Sequence, residues 1–393
     1  MSIYPKVTIR DNRIDAIRRR HPWIFSGAIK KRDDCADGDI VRVCTRAGEC
    51  LGVGYYQDSS IMVRLLTFED RVIDDAFWKA LISKAVRLRI KLGLPSEDTN
   101  AFRLIHGEGD GIPGLIIDIY GDVAVVQCHA IGIHKVRDEI ANALREALDR
   151  SLSTIYIKSG QTLPSEYASY HPDYFLEGEK SEVRIAEHGC PFNVNIVTGQ
   201  KTGFFLDQRE NRALLKLYAQ DQNVLNLFSY TGGFSMYALQ GGASEVTSVD
   251  ASAKAMDLCD QNVALLQKSD AHHSVVADVN AYLKDIASGY HDIIIVDPPA
   301  FAKSRRKSHN AIQAYKRVNA AAIRKVKKDG LIFTFSCSQV IDAALFYNTI
   351  MAAAIEAARP CQVIHHLSQG PDHPVSIFHP EGKYLKGLVL KVS

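Results

Sequence analysis

Asn226-Leu227-Phe228-Ser229-Tyr230-Thr231-Gly232-Gly233 follows an apolar run that begins at Val224, and helical spacing starts at its last glycine. A buried strand, a tight turn and a helix in that order mark the place where an open α/β sheet holds a ligand, at the carboxyl end of a strand. Small residues in the turn let a ligand approach the backbone. The turn is not G-x-G-x-x-G, which disfavours a pyrophosphate-binding dinucleotide site and makes a nicotinamide dehydrogenase a distant reading.

Outward from this turn, apolar strands alternate with amphipathic helices from about Thr198 onward. Strands are expected at Val224 to Phe228, Glu245 to Val249, His273 to Val276, Asp292 to Val296 and Leu331 to Phe335. Helices are expected from Gly233, from Ala253, near Ala281 and near Gln313 to Val326. This alternation predicts a parallel sheet covered on both faces. Three acidic residues fall at successive strand ends. Asp250 ends the second strand, where a carboxylate can accept hydrogen bonds from both hydroxyls of a ribose. Asp278 follows the third, where it can meet an adenine amino group. Asp297 follows the fourth and heads Asp297-Pro298-Pro299-Ala300-Phe301. A helix N-cap accounts for any one of them; three in series favour a ligand site.

Upstream, Lys6 to Glu69 reads as short strands separated by turns, including Ile40 to Val43, Leu51 to Tyr56 and Ser60 to Leu66, with Gly52 and Gly54 suited to tight bends. Asp74 to Leu92 has helical spacing and ends at Gly93 and Pro95. An α+β segment follows, with strands from Phe102 to Gly107, Leu115 to Tyr120, Val123 to Cys128 and Thr154 to Lys158, a helix near His134 to Leu148, and further strands at Phe175 to Arg184 and Cys190 to Ile196. A chain of 393 residues exceeds what one core organises. The expected division is a β domain over 1–72, a linker helix and α+β domain over 73–185, and an α/β domain over 186–393.

Composition narrows the class. A hydrophobic fraction of 46% with 23% charged residues is that of a folded globular chain. Met1 to Asn12 lacks the pattern of a signal peptide, and no apolar run approaches the roughly 18 to 20 residues of a membrane helix, so a cytoplasmic protein with no membrane partner is expected. The eight cysteines form no C-x-x-C pair and no histidine stands at zinc spacing beside them, so no metal is expected and most thiols should be small buried groups. With a net charge of only +2, any nucleic-acid footprint must be local. Basic clusters occur at Arg18-Arg19-Arg20, Lys30-Lys31-Arg32, Lys303 with Arg305-Arg306-Lys307, and Arg324-Lys325 with Lys327-Lys328. A solvated face is the ordinary reading of each.

The turn at Asn226 to Gly233, Val249-Asp250, Ala277-Asp278 and Asp297-Pro298-Pro299 together resemble the successive motifs of class I S-adenosylmethionine-dependent methyltransferases. Thr202-Gly-Phe-Phe-Leu-Asp-Gln-Arg209 upstream and Thr334-Phe-Ser-Cys-Ser338 downstream narrow the resemblance to the ribosomal RNA large subunit methyltransferase I family of cytosine-C5 enzymes. It spans the chain. His21-Pro-Trp-Ile-Phe-Ser-Gly27 is similar to the hallmark of that family's N-terminal PUA domain, an RNA-binding β-barrel, and Asp372-His-Pro374 with Pro380 to Gly387 is similar to its closing hairpin.

The fold so implied is α/β: a Rossmann-like class I methyltransferase domain preceded by a small β-barrel PUA domain and an α+β middle domain. The cofactor implied is S-adenosylmethionine, leaving S-adenosylhomocysteine as product, and the partner is 23S ribosomal RNA; a homodimer is compatible with the resemblance. It assigns to the cofactor Asp207, Gln208, Arg209, Asn226, Phe228, Ser229, Tyr230, Thr231, Gly232, Asp250, Ala251, Asp278, Val279 and Asp297.

Cytosine C5 is not nucleophilic, so its methylation requires prior addition at C6, and a thiolate is the side chain best suited to add and later leave. Cys337 follows the fifth strand at the same sheet edge as Asp297, whereas a core cysteine would fit better inside the strand. On this reading Cys337 is the nucleophile, Asp297 holds the N3 and N4 edge of the base, and Pro298, Pro299 and Phe301 shape its pocket. The target base must leave its stack. Lys303, Arg305, Arg306 and Lys307 beside the pocket, and Arg18, Arg19 and Arg20 in the β domain, are the expected RNA contacts. Two rivals stay open: a guanine-N2 methyltransferase on the same fold, which needs no cysteine, and an RNA-binding assembly factor with a silent site.

Overall fold

The structure is a computed structural model that describes residues 4–148, 151–301 and 308–393. Short apolar runs broken by turn residues give the first six strands: β1 (Lys6–Ile9), β2 (Trp23–Phe25), β3 (Ile29–Arg32), β4 (Ile40–Cys44), β5 (Cys50–Tyr56) and β6 (Ile61–Thr67), with helix α1 (Ile14–Arg18) between β1 and β2. They form one sheet in the order β2-β6-β5-β4-β1-β3, in which only β1 and β4 pair in parallel. Gly54 sits at the register shift between the antiparallel strands β5 and β6, where a Cβ would lie 2.1 Å from the carbonyl oxygen of Arg64.

Helix α2 (Asp75–Lys91) starts where Asp74 Oδ1 accepts from the backbone N–H of Phe77 at 2.9 Å, a side-chain N-cap. Strands β7 (Ala101–His106), β8 (Leu115–Tyr120), β9 (Val123–Cys128), β10 (Thr154–Ile157) and β11 (Tyr174–Glu177) form a second sheet in the order β11-β10-β9-β8-β7. The single helix expected near His134 to Leu148 is two, α3 (Ile131–Lys135) and α4 (Arg137–Ala147), because Val136 leaves helical geometry at φ −104°. Helix α5 (Ser165–Ser169) precedes β11, and β12 (Glu182–Glu187) and β13 (Cys190–Asn195) form a two-stranded ribbon.

The chain divides into two compact units: one holds Met1–Ile185, Val194–Phe204 and Pro371–Gly382, the other Ala186–Asn193, Phe205–Gly370 and Lys383–Ser393. Buried ion pairs explain why two late segments belong to the first unit. Arg89 binds Asp110 through two hydrogen bonds of 2.5 and 2.8 Å and also donates to the carbonyl oxygen of Asp372 at 2.8 Å. Asp372 accepts from the N–H of Arg103, whose guanidinium binds Asp118, and Asp118 accepts from Thr202 Oγ1 at 2.6 Å. Asp372-His373-Pro374, read from the sequence as part of a closing hairpin, therefore lies in a connection tied to the first unit. Trp23 of the His21 to Gly27 motif donates to Glu108 at 2.7 Å and packs edge-on against His379 at 4.3 Å, both within that unit.

The second unit carries a seven-stranded sheet of β14 (Asn223–Leu227), β15 (Glu245–Asp250), β16 (His272–Val276), β17 (Ile293–Val296), β18 (Leu331–Ser336), β19 (Cys361–Ser368) and β20 (Lys386–Val392), in the order β16-β15-β14-β17-β18-β20-β19. Strands β14 to β18 pair in parallel, as the alternation predicts; β20 runs antiparallel to both neighbours. Helices α6 (Arg209–Tyr218), α7 (Gly233–Gln240), α8 (Ala253–Leu265), α9 (Val279–Asp285), α10 (Ser308–Lys325) and α11 (Ala343–Ala357) complete the unit. All four residues of β17 are buried, as a strand covered on both faces requires, whereas β19 at the edge alternates between half-buried and exposed. No helix among the described residues is long and apolar enough to cross a membrane.

Candidate active site

Strand β14 lies between β15 and β17, so the carboxyl ends of the central strands open around the turn that follows it. Three residues of that turn have left-handed backbone: Phe228 at φ +57°, Tyr230 at +48° and Gly232 at +82°. Strained non-glycine positions of this kind cluster at binding sites. Gly232 cannot be replaced freely, because a Cβ there would lie 2.5 Å from Cys259 Sγ.

Asp250 ties the turn to the next strand. Its Oδ2 accepts from the N–H of Tyr230 at 3.0 Å and its Oδ1 from that of Ser252 at 2.9 Å, and Ala251 beside it is exposed. Asp278 is exposed and caps α9, accepting from the N–H of Ala281 at 3.0 Å, so the ordinary cap reading accounts for one of its oxygens. Val279 turns its side chain into the core, which leaves its backbone for a ligand. Asn226 is also internal, donating to Ser235 Oγ at 2.9 Å; Ser229 and Thr231 are buried in the turn.

Sequence reading of Asp297 missed the hydrogen-bond relay that holds it. Asn211 Nδ2 donates to Gln208 Oε1 at 2.6 Å, which fixes the amide so that Gln208 Nε2 donates to Asp297 Oδ2 at 3.0 Å. Burial, reinforced by the charge of Asp207, pushes Asp297 up to about 7, against the opposing hydrogen bond from Gln208 and the charge of Arg212. Asp207 accepts from Tyr384 OH at 2.6 Å through Oδ2, while its Oδ1 is buried with no hydrogen-bond partner. Among the described residues neither Asp207 nor Asp297 forms an ion pair. Two neighbouring carboxyls, one with an orphaned buried oxygen, suit a cationic ligand. Arg209, also buried, pairs with Glu210 at 3.0 Å.

Cys337 follows β18 directly and is partly exposed. Val296 is level with Thr334, so Cys337 stands two residues beyond the level of Asp297 on the adjacent strand, about 7 Å along it at 3.3 Å per residue. Elsewhere burial pushes the thiols of Cys128, Cys190 and Cys259 up to about 12, as expected of core groups. Pro298 is buried, Pro299 is exposed and Phe301 is half-buried, packed edge-on against Phe228 and Tyr315 at 6.4 and 4.8 Å. Lys303, Arg305, Arg306 and Lys307 lie outside the described residues. Arg18, Arg19 and Arg20 are exposed in the first unit; Arg18 meets Glu49 at 3.4 Å and Arg20 lies over the Phe68 ring at 5.8 Å.

Residues 102–379 match the S-adenosylmethionine-dependent methyltransferase family and residues 7–68 match the PUA-like domain. The chain is 39% identical to a ribosomal RNA large subunit methyltransferase I from Alteromonas mediterranea, over 99% of both chains. It is 38% identical to one from Pseudoalteromonas atlantica, over 98% of this chain and 99% of that one. Among solved structures it is similar to SMU.776, a candidate methyltransferase complexed with SAH, with a TM-score of 0.86 and 25% identity over 98% of this chain and all of that one.

Proposed function

Because the chain belongs to the ribosomal RNA large subunit methyltransferase I family of S-adenosylmethionine-dependent enzymes, we propose that it methylates C5 of a cytosine in 23S ribosomal RNA through a covalent bond from Cys337 to C6. The observation that carries this reading is a partly exposed thiol at the carboxyl end of β18, beside a strand that ends in a carboxyl held near 7.

S-adenosylmethionine supplies, when bound, an electrophilic methyl group on a cationic sulfur. The residues fit such a ligand: Asp207 offers an unpartnered buried oxygen to positive charge, Asp250 and the left-handed turn from Phe228 to Gly232 offer a ribose acceptor and close backbone approach, and Asp278 stands at the next strand end.

On the base, the Cys337 thiol first loses its proton to solvent. The thiolate then adds to C6, forming a C–S bond, and the ring takes the displaced electron pair while protonated Asp297 gives N3 its proton. A carboxyl that is half protonated near neutrality is matched to that task. Once C5 carries its new methyl group, its own proton passes to water, the C–H electron pair re-forms the C5–C6 double bond as Cys337 leaves as thiolate, and N3 returns its proton to Asp297. Pro298 and Phe301 supply apolar walls for an unstacked base.

Bisulfite sequencing of ribosomal RNA from cells with the intact gene, without it, and with Cys337→Ala tests this. One cytosine protected only by the intact gene is expected. A guanine-N2 product, or protection that survives Cys337→Ala, would replace this reading with the exocyclic-amine one.

A further inference from the structure

The last strand brings a buried cation to the loop that carries Cys337. Lys386 opens β20 opposite Ser336, the last residue of β18. Its side chain is buried, and its Nζ donates to the carbonyl oxygen of Ser338 at 2.6 Å and to that of Ile341. Those carbonyls lie one and four residues after Cys337, so the ammonium clamps the segment between β18 and α11. Among the described residues Lys386 has no ion-pair partner, which is unusual for a buried ammonium.

We propose that Lys386 is the positioning residue for Cys337: it fixes the loop that presents the sulfur and supplies the positive charge against which the thiolate forms. The inference rests on the nucleophile reading above and extends it. Burial brings Lys386 down to about 8, while the charges of Cys337 and Asp342 act in the opposite direction, so the ammonium is still largely protonated at neutral pH. Among the described residues, the other titratable groups that bear on this corner are Asp342, which caps α11 by accepting from the N–H of Leu345 at 2.8 Å, and the buried phenol of Tyr315 on α10, which feels both Cys337 and Asp297. Among the described residues, Asp342 opposes thiolate formation, Tyr315 is neutral, and Lys386 is a cation acting in its favour. A thiolate loses its stabilisation when a neighbouring cation is removed.

The test is the rate at which iodoacetamide alkylates Cys337 between pH 5.5 and 9.5, read by mass spectrometry of the Cys337 peptide in the full-length protein. Wild type is compared with Lys386→Met, which keeps the unbranched side chain but ends without the ammonium, and Lys386→Arg, which keeps the charge. Lys386→Met should move the midpoint up by about one pH unit and slow alkylation at pH 7 about tenfold, and Lys386→Arg should restore most of the difference. Unchanged S-adenosylmethionine affinity and melting temperature would separate this effect from misfolding. A Lys386→Met curve superimposed on wild type overturns the proposal. If Lys386→Met does not fold, Lys386→Gln takes its place, and a Lys386→Gln curve superimposed on wild type overturns the proposal. Methylation surviving Cys337→Ala sinks the nucleophile itself, whether or not the alkylation curve shifts.

Discussion

At the scale of single residues, Asp297 couples the site to pH. Its carboxyl is raised from 3.8 to about 7 in the fold, chiefly by burial. Such a group favours the folded state fully below its unfolded value, and that contribution is lost as pH rises through about 7. Asp297→Asn should therefore flatten the fall in stability between about pH 4 and 7 and leave the apo-protein more stable than wild type at pH 8, as urea titrations at the two pH values would reveal. The same substitution removes the proton donated to N3. Turnover should fall about 10² to 10⁴ fold, and the loss of rate above about pH 7 expected of wild type should be absent from the pH profile of what remains. A variant with wild-type turnover would deny Asp297 its acid role.

The order of acids at strand ends was readable from the sequence because each stands within two residues of the last valine of its strand, Val249, Val276 or Val296. Their partners were not. Gln208 and Asn211 are separated from Asp297 by more than eighty positions, and only the tertiary fold brings the amide just ahead of α6 to the carboxyl just after β17. Lys386 was visible as part of Pro380 to Gly387, but no local pattern says that its ammonium reaches back to Ser338.

At the scale of elements, the turn after β14 is the most constrained piece of backbone. Gly232 combines a left-handed φ with a Cβ position already occupied by Cys259 Sγ. Gly232→Ala should cost roughly 1–2 kcal/mol from the backbone alone, with a further loss as α8 shifts to relieve the contact. Calorimetric titration should find S-adenosylmethionine affinity reduced along with the melting temperature. Intact affinity would mean that the turn does not shape the cofactor site.

The parallel strands β14, β17 and β18 are legible because burial on both faces makes them largely apolar runs, while the edge strand β16, mostly exposed, is marked only by its place in the alternation. Helix α11 and edge strand β19 were not anticipated. The helix is apolar nearly all round, with Tyr347, Met351 and Ile355 exposed, so it lacks the polar face that marks a surface helix. The strand contains two histidines and a glutamine and alternates in exposure.

At the scale of the molecule, the first unit is held by buried charge as well as by apolar packing. Arg89→Ala would leave Asp110 unpaired and free the carbonyl of Asp372, and breaking such a pair should cost about 3–5 kcal/mol. Chemical denaturation followed by tryptophan fluorescence suits this test, since Trp23 and Trp78 both lie in that unit. A loss under about 1 kcal/mol would mean that the pair is effectively solvated. With a net charge of only +2, RNA affinity should depend on few residues. Replacing Arg18 and Arg19 by glutamine should weaken ribosomal RNA binding and lower the slope of log affinity against log salt by about two, if each neutralises one phosphate. An unchanged slope would remove them from the RNA footprint.

The central claim is the bond between Cys337 and the base, and a substrate that cannot complete the reaction exposes it. Ribosomal RNA carrying 5-fluorocytidine should, with S-adenosylmethionine present, remain covalently attached to the enzyme, because fluorine at C5 cannot leave as a proton. Tandem mass spectrometry should then find the modified nucleotide on the Cys337 peptide. Methylation of normal RNA with no trapped complex, or a nucleotide attached to another residue, would contradict the account.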